Sequence, residues 1–335
     1  MNFRMVQMSR QVAQDEVRRI RFRTLLAILA GLLLLGVAIT RPVSAAAYLV
    51  INTNDAGPGS LRDAINSANA SIGVNDQIFF AIPGVGVQTI TPLSQLPALT
   101  DPAGVMIDGF SQPGSGGVPA PFPPSPGFML IELDGASAGG SHGLVIQSPG
   151  NIIQGLVINN FEQDGIHIEA TPFPTTMNII ANNYIGMEPD GITVKGNGRV
   201  ASAYWAGVAI VGSLVTPGLA INNNIIANLI SGNYAEGVSI QSLAGNDVGL
   251  NTVQFNYIGT DITGMIDCGN FHDGVYLGEG THDNIVDQNL ISGNDFEGVC
   301  IIGSAEASIR THSNHVTHNK IGLKADLSQL SNTLS

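Results

Sequence analysis

Residues 228–240 read NLISGNYAEGVSI, and residues 289–301 read NLISGNDFEGVCI. Each stretch joins two short units. The first is Asn-x-Ile followed by Gly or Ser-Gly. It recurs at Asn183-Tyr184-Ile185-Gly186, Asn256-Tyr257-Ile258-Gly259 and Asn319-Lys320-Ile321-Gly322. The second is Gly, apolar, variable, apolar. It recurs at Gly165-Ile166-His167-Ile168, Gly207-Val208-Ala209-Ile210 and Gly274-Val275-Tyr276-Leu277. From Gly165 to Gly298 the opening glycines are 42, 30, 37 and 24 residues apart, as a basic period near 24 with loop insertions would give. Within a unit, apolar and variable residues alternate, which is the period of a strand with one buried face. No helix-length apolar pattern separates consecutive strands, so the chain is not a βαβ array. So short a strand cannot bury its face alone. Stacking coil on coil, at about 4.8 Å, makes one continuous interior. The fold class expected is all-β: a right-handed parallel β-helix, or β-solenoid. With the earlier candidates YLVINT, QIFFAI, GVMIDGF, FMLIELDG and GLVIQS, about six to eight coils are expected.

The interior follows from the pattern. Val208, Val238, Val275 and Val299 should form one stack, and Ile210, Ile240, Leu277 and Ile301 the next. Ile185, Ile230, Ile258, Ile291 and Ile321 should line another wall. The recurring Asn residues should stack at a corner as an amide ladder. The punctuating Gly and Asn are read as residues that tolerate left-handed backbone at sharp corners.

The open end of a solenoid exposes backbone and apolar surface, and needs a cover. Residues 60–69, SLRDAINSAN, supply an N-terminal capping helix. Ser60 and Asp63 have the spacing of a capping box, and Leu61, Ala64, Ile65 and Ala68 share a face. Arg62 points elsewhere, solvated or locally paired. Residues 48–335 are thus read as a single β-helix domain, with the capping segment at about 48–75. Residues 111–127 are a Pro/Gly excursion from the coil. After Ile321 no further Gly-apolar-x-apolar strand appears. Either residues 326–335 fold over the last coil, or the chain is a shortened version of something longer.

Of 335 residues, 44% are hydrophobic and only 12% charged, with 41 Gly and 17 Pro. Disorder, a helical bundle and a coiled coil are excluded by this composition. Seven of the 13 basic residues lie in the first 41 positions; beyond them stand six basic residues against 24 acidic ones, a net −18. Nucleic acid is therefore not expected as a partner, since phosphate binding needs a basic face. Residues 24–40 are an uncharged apolar run after an Arg cluster, with small residues following through Ala47. Residues 1–47 read as a signal peptide, with an uncleaved N-terminal anchor as the alternative and the only expected contact with a membrane. The body is expected to be secreted or on the cell surface. Cys268 and Cys300 could pair in an oxidising compartment or stand as two thiols.

The segments VINTNDAGPGSLRDAINSANA, TITPLSQLPALTDPAGVMIDGFSQPG, NIIQGLVINNF, NYIGTDITG and NLISGN resemble a family of exported bacterial right-handed parallel β-helix repeat proteins. The resemblance runs from about residue 48 to 322. It departs where Ile185-Gly186 is followed by MEPDG and where Ile321-Gly322 is followed by LKADLS, in place of TDxxG. The resemblance implies a pectin-lyase-like fold and a surface or adhesin-like protein without assigned chemistry. The wider fold class also holds pectate lyases, polygalacturonases and alginate epimerases.

On the variable position of the second unit the column reads His167, Ala209, Ser239, Tyr276 and Cys300. Just before each Gly stand Asp164, Ala206, Glu236, Asp273 and Glu297, with Glu169 close by. Such a carboxylate ladder could serve a glycosidase as acid and base, or hold Ca²⁺. His167 and Tyr276 could contact a sugar. The bland reading is turn chemistry that keeps an exposed parallel face soluble. The run His312-Ser313-Asn314-His315-Val316-Thr317-His318 is read as a solvated loop ahead of a metal site. No phosphate loop, nucleophile elbow or HExxH appears. The expected function is display, adhesion or binding of extracellular polysaccharide or matrix, with no catalytic residues and no cofactor assigned. Candidate ligand-binding residues are Asp164, His167, Glu169, Glu236, Asp273, Tyr276 and Glu297. A polysaccharide hydrolase or lyase using the carboxylate column is the alternative.

Overall fold

The strands that the repeat defines are too short to be stable singly, and they gain partners only along the stacking direction. A computed structural model describes residues 45–115, 129–199, 205–213, 218–303 and 310–333. The expected leader, up to residue 44, and most of the Pro/Gly excursion lie outside the described residues. Among the described residues three parallel sheets run side by side, of nine, eight and six strands. The nine-stranded sheet begins with Ala47–Val50, Asp76–Phe80 and Val105–Asp108 and ends with Ile285–Asp287 and His315–Thr317. The eight-stranded sheet runs from Gln88–Ile90 to Lys320–Ile321, and the six-stranded sheet from Leu144–Ile146 to Val299–Ile301. Every pairing between these strands is parallel and joins one turn of the chain to the next, so the architecture is a parallel β-solenoid. No helix of the described residues is long and apolar enough to cross a membrane.

The expected interior stacks are in register. Val208 pairs with Val238, Val238 with Val275 and Val275 with Val299, while Ile210, Ile240, Leu277 and Ile301 follow two residues on. Ile185, Ile230, Ile258, Ile291 and Ile321 line the eight-stranded wall. Except at the last turns these side chains are fully buried, and they belong to one continuous cluster. Each buried Val or Ile is worth about 1.5–3 kcal/mol in transfer from water, so the stacks are the main source of stability.

The Asn ladder is present, and among the described residues it is one of three. Asn228 Oδ1 accepts from both the backbone N–H (2.9 Å) and Nδ2 (3.1 Å) of Asn183; Asn256 does the same for Asn228, and Asn289 for Asn256. A second ladder climbs through Asn151, Asn178, Asn223, Asn251, Asn284 and Asn314. A third climbs through Asn197, Asn233, Asn270, Asn294 and Asn332. A corner takes backbone N–H groups out of the sheets while keeping them buried. One amide side chain per turn satisfies them without water.

The glycines that close the Asn-x-Ile units, Gly186, Gly232, Gly259, Gly293 and Gly322, are left-handed as expected, with φ of 70–90°, but those that open the second unit are not. Gly165, Gly207, Gly237 and Gly274 are not in left-handed backbone; a Cβ on any of them would meet the next turn's carbonyl oxygen at 2.6–2.8 Å. They are needed for close approach of the coils. The left-handed corner residues that precede the Asn183 ladder are Asn182, Ala227, Phe255, Gln288 and His318, with φ of 53–57°.

Helix α1, Leu61–Ala70, forms where expected. Ser60 accepts from the Asp63 amide at 3.2 Å, but Asp63 reaches back to the amide of Gly59 (3.3 Å), one residue before the expected box partner. Leu61, Ala64, Ile65 and Ala68 pack into the same cluster as Val50, Ile78 and Phe80. Arg62 is paired with Asp55 at 2.7 Å and also donates to the carbonyls of Ser94 and Gln95, tying the helix to that loop.

At the other end the chain folds back. Leu330 donates to Gly322, Thr333 donates to Asn294, and Asn332 supplies the last rung of the third ladder. The departures from TDxxG keep the usual geometry: Met187–Val194, Thr260–Asp267 and Leu323–Gln329 each form an antiparallel bridge. These hairpins stack, Ile262 donating to Gly191 (2.9 Å) and Ala325 to Gly264 (2.9 Å).

Candidate functional site

The outer face of the six-stranded sheet carries the polar columns, because alternation sends the variable position outward. Val145, His167, Ala209, Ser239, Tyr276 and Cys300 are register partners in successive turns. The residues before each Gly form a second column: the carbonyls of Asp164, Ala206, Glu236, Asp273 and Glu297 each accept from a glycine amide one turn earlier. His142, before Gly143, heads this column.

One expectation is overturned here. The acids of this column do not decorate an exposed face: Asp164 is 2%, Glu236 4% and Asp273 1% exposed, and Glu297 alone is at the surface. Side chains from neighbouring turns roof them over. Asp164 Oδ1 accepts the Ala206 amide (2.6 Å), and its Oδ2 lies 2.7 Å from His167 Nδ1 and 3.2 Å from His142 Nδ1. Burial would push this carboxyl up, but the bonds from His142 and His167 outweigh it and hold the group below the usual carboxylate range.

His167 and His142 stack at 4.2 Å, and Trp205 meets His142 edge-on at 5.3 Å. Beside them opens a cavity of about 410 Å³, lined by Trp205, Asp164, His167, Glu169, Ser239 and Gln241 among others. Gln147 donates to Glu169 (2.8 Å), and Gln241 to Ser239 (2.8 Å).

One step along the face, His272 Nδ1 lies 3.3 Å from Glu236 Oε1 and 3.3 Å from Asp273 Oδ2. Its ring stacks on Phe296 at 4.3 Å. Asp273 Oδ1 accepts the Glu297 amide (2.9 Å). Burial pushes the Glu236 carboxyl up, and the neighbouring Asp273 and Asp164 charges add to this. Burial and the adjacent Glu297 likewise raise Asp273. The face therefore pairs a buried acid whose pKa is lowered, Asp164, with two whose pKa is raised, Glu236 and Asp273. Cys268 and Cys300 are both free thiols; burial, then Asp273 and Glu297, push Cys300 up to about 11.

Of the expected site residues, Asp164, His167 and Glu169 come together at the cavity. Glu236 and Asp273 form the adjoining cluster, with Glu297 at its rim. Tyr276 is half-buried, its ring against Gly278, and does not line the cavity. His142, Trp205 and Gln241 were not anticipated, and His272 stood out in the sequence only as one of several His in the last coils. His142 and His272 were visible as neighbours of the Gly-apolar-x-apolar units, and Trp205 is the sole Trp, two residues before Gly207. In the His-rich run, His312 stacks on His282 (5.3 Å) and His318 bonds Asp287 (2.8 Å). The run is not all loop as expected: His315–Thr317 is the last strand of the nine-stranded sheet, ended by the left-handed turn at His318. On the eight-stranded sheet, Lys195 Nζ lies 3.0 Å from Glu132, 3.2 Å from Asp134 and 3.0 Å from Glu188, a closed ionic cross-brace.

No family model matches the chain, and no curated protein matches it. Solved structures similar to the chain include two with low scores. One is an alginate lyase from Paenibacillus sp. str. FPU-7, with a TM-score of 0.40 and 16% identity over 82% of this chain and 97% of that one. The other is ORF18 of Geobacillus virus E2, with a TM-score of 0.38 and 14% identity over 82% of this chain and 62% of that one. Both likenesses are weak, and the assignment as a solenoid rests on the three parallel sheets.

Proposed function

We propose that this chain is an exported protein, secreted or held at the cell surface, that binds extracellular polysaccharide without transforming it. In this reading residues 1–47 direct export, and helix α1 closes a right-handed solenoid of about six to eight coils. Sugar is bound on the outer face of the six-stranded sheet. The observation that carries the reading is the cavity beside Trp205. It has the size of a small-ligand site, one aromatic wall for the C–H face of a sugar, and a few polar tips to fix hydroxyls. The lining carboxylates and the acidic body disfavour a polyanion and favour neutral or aminated glycans. Titration calorimetry against neutral, aminated and uronate polysaccharides tests this. Binding of the first two classes is expected, falling at least about tenfold in Trp205→Ala, since a buried aromatic anchor carries much of such an interface. Unchanged affinity in that variant would remove the basis for the proposal.

Hydrolysis is the second reading, favoured by one observation. Asp164 has its pKa lowered and Glu236 has its pKa raised, and their backbones stand two coil steps, or roughly 9.6 Å, apart. That is at the upper limit for an inverting acid and base pair. Release of reducing sugar that disappears in Glu236→Gln would replace the binding reading with this one.

A further inference from the structure

We propose that Glu236, His272 and Asp273 form a binding site for a divalent transition metal of the Zn²⁺ class. The site is separate from the polysaccharide-binding cavity around Trp205. The geometry comes first. His272 Nδ1 lies 3.3 Å from an oxygen of each carboxyl. Ligands about 2.0 Å from a tetrahedral centre stand roughly 3.3 Å apart, so both edges have the length that a Zn²⁺ polyhedron requires. The three ligand atoms all fall within 4.8 Å of one another. A metal needs only to replace the contacts that the groups now make with each other.

The second observation is Glu236 Oε2. The residue is 4% exposed, its carboxyl faces His272, and yet Oε2 has no hydrogen-bond partner. A buried, unpaired carboxylate oxygen is expensive, and metal coordination is one of the few ways of satisfying it. Charge points the same way. Two buried carboxyls from successive turns face each other with an imidazole between them, and a divalent ion would neutralise both. The donor set decides the class of ion. Two oxygens and an imidazole nitrogen in a tight cluster suit Zn²⁺, whereas Ca²⁺ takes six to eight oxygens. The His272 side chain is 28% exposed, which leaves solvent a route to a fourth position. Asp273 also lies against Glu297 and Cys300 at that rim. A metal on Glu236 would prevent it from acting as a general acid, so this site and the hydrolytic reading exclude each other.

The test uses the untagged full chain, stripped with chelator and titrated with ZnCl₂ near neutral pH, with CaCl₂ in parallel. One equivalent of Zn²⁺ should bind and raise the Tm; Ca²⁺ should do neither. Glu236→Gln and His272→Gln should each weaken Zn²⁺ binding by more than about tenfold, the least that even an outer-shell partner costs. In both variants the metal-free chain should keep the circular dichroism and cooperative melting of the wild type while losing the further rise in Tm with Zn²⁺. Retained folding with lost Zn²⁺ response separates loss of a ligand from loss of the fold. Co²⁺ added to the wild-type chain should give the intense visible bands of a tetrahedral site. Absence of Zn²⁺ binding, a preference for Ca²⁺, or Zn²⁺ binding that survives both variants and is lost in His142→Gln would overturn the proposal.

Discussion

Two of the buried acids of the outer face, Asp164 and Glu236, carry opposite signs of coupling between protonation and folding. Asp164 has a folded-state pKa below its unfolded value. Its contribution is fully present above the unfolded value, about 3.9, and is lost as pH falls through the folded one. Glu236 is raised, so its contribution is present below the unfolded value, about 4.3, and is lost as pH rises through the folded one. In metal-free protein near neutral pH, Glu236→Gln should therefore stabilise the fold, and the gain should vanish as pH drops below the ordinary carboxylate range. Asp164→Asn should destabilise by about 2–3 kcal/mol, the worth of charged hydrogen bonds to a buried group. Urea unfolding of both variants across this pH range checks the signs. A Glu236→Gln variant less stable at neutral pH would contradict the burial argument. At this scale the sequence was only partly legible. The Gly-based repeat located Asp164, Glu236 and Asp273. Their burial depends on His142, Trp205 and His272 arriving from other turns, which a pattern within one strand cannot reveal.

An element of this fold is a wall or corner shared by all the turns, and the Asn ladders show what such sharing is worth. Asn256 accepts two bonds from Asn228 and donates to Asn289 and to the Ile225 carbonyl. Asn256→Ala would strand the buried Asn228 amide. Asn319 accepts from Asn289 in the same way but is half-buried, so water can replace part of its role. Each buried group left unpaired costs about 1–3 kcal/mol. Asn256→Ala should therefore be more destabilising than Asn319→Ala by at least about 1 kcal/mol in denaturant unfolding. Equal costs would mean that the ladder is not cooperative along its length. One ladder was readable because Asn-x-Ile-Gly is a compact motif. The Asn178, Asn223, Asn251, Asn284 and Asn314 ladder lies five residues ahead of the first at each turn. That constant offset marks the strands of the nine-stranded sheet, which the two-unit reading did not separate. The apolar stacks needed no such correction, because period-two alternation fixes them directly.

For the described body as a whole, a stack in which each turn touches only its neighbours has stability that varies along its length. The chain order of the stacks could be read from the repeat; their relative burial could not, since it depends on which turns have covered faces. At the first turns, Leu61 and Ile65 of α1 cover Val50 and Ile78, and all four are fully buried. In the middle, Ile225, Ile230 and Ile240 are fully buried too. In the last turn, Val316 and Ile321 are 36% and 43% exposed although they occupy the same inward columns. A strand with half its apolar face in water gains correspondingly less from burial. Local opening should begin there. In native-state hydrogen exchange, the amides of His315–Thr317 and Lys320–Ile321 should exchange at least about tenfold faster than their ladder equivalents in Thr252–Gln254 and Tyr257–Ile258, since protection follows local opening free energy. The register gives each amide the same geometry in both places. A difference in rate therefore reports stacking alone, and uniform protection from Thr252 to Ile321 would show the array opening as one cooperative unit instead.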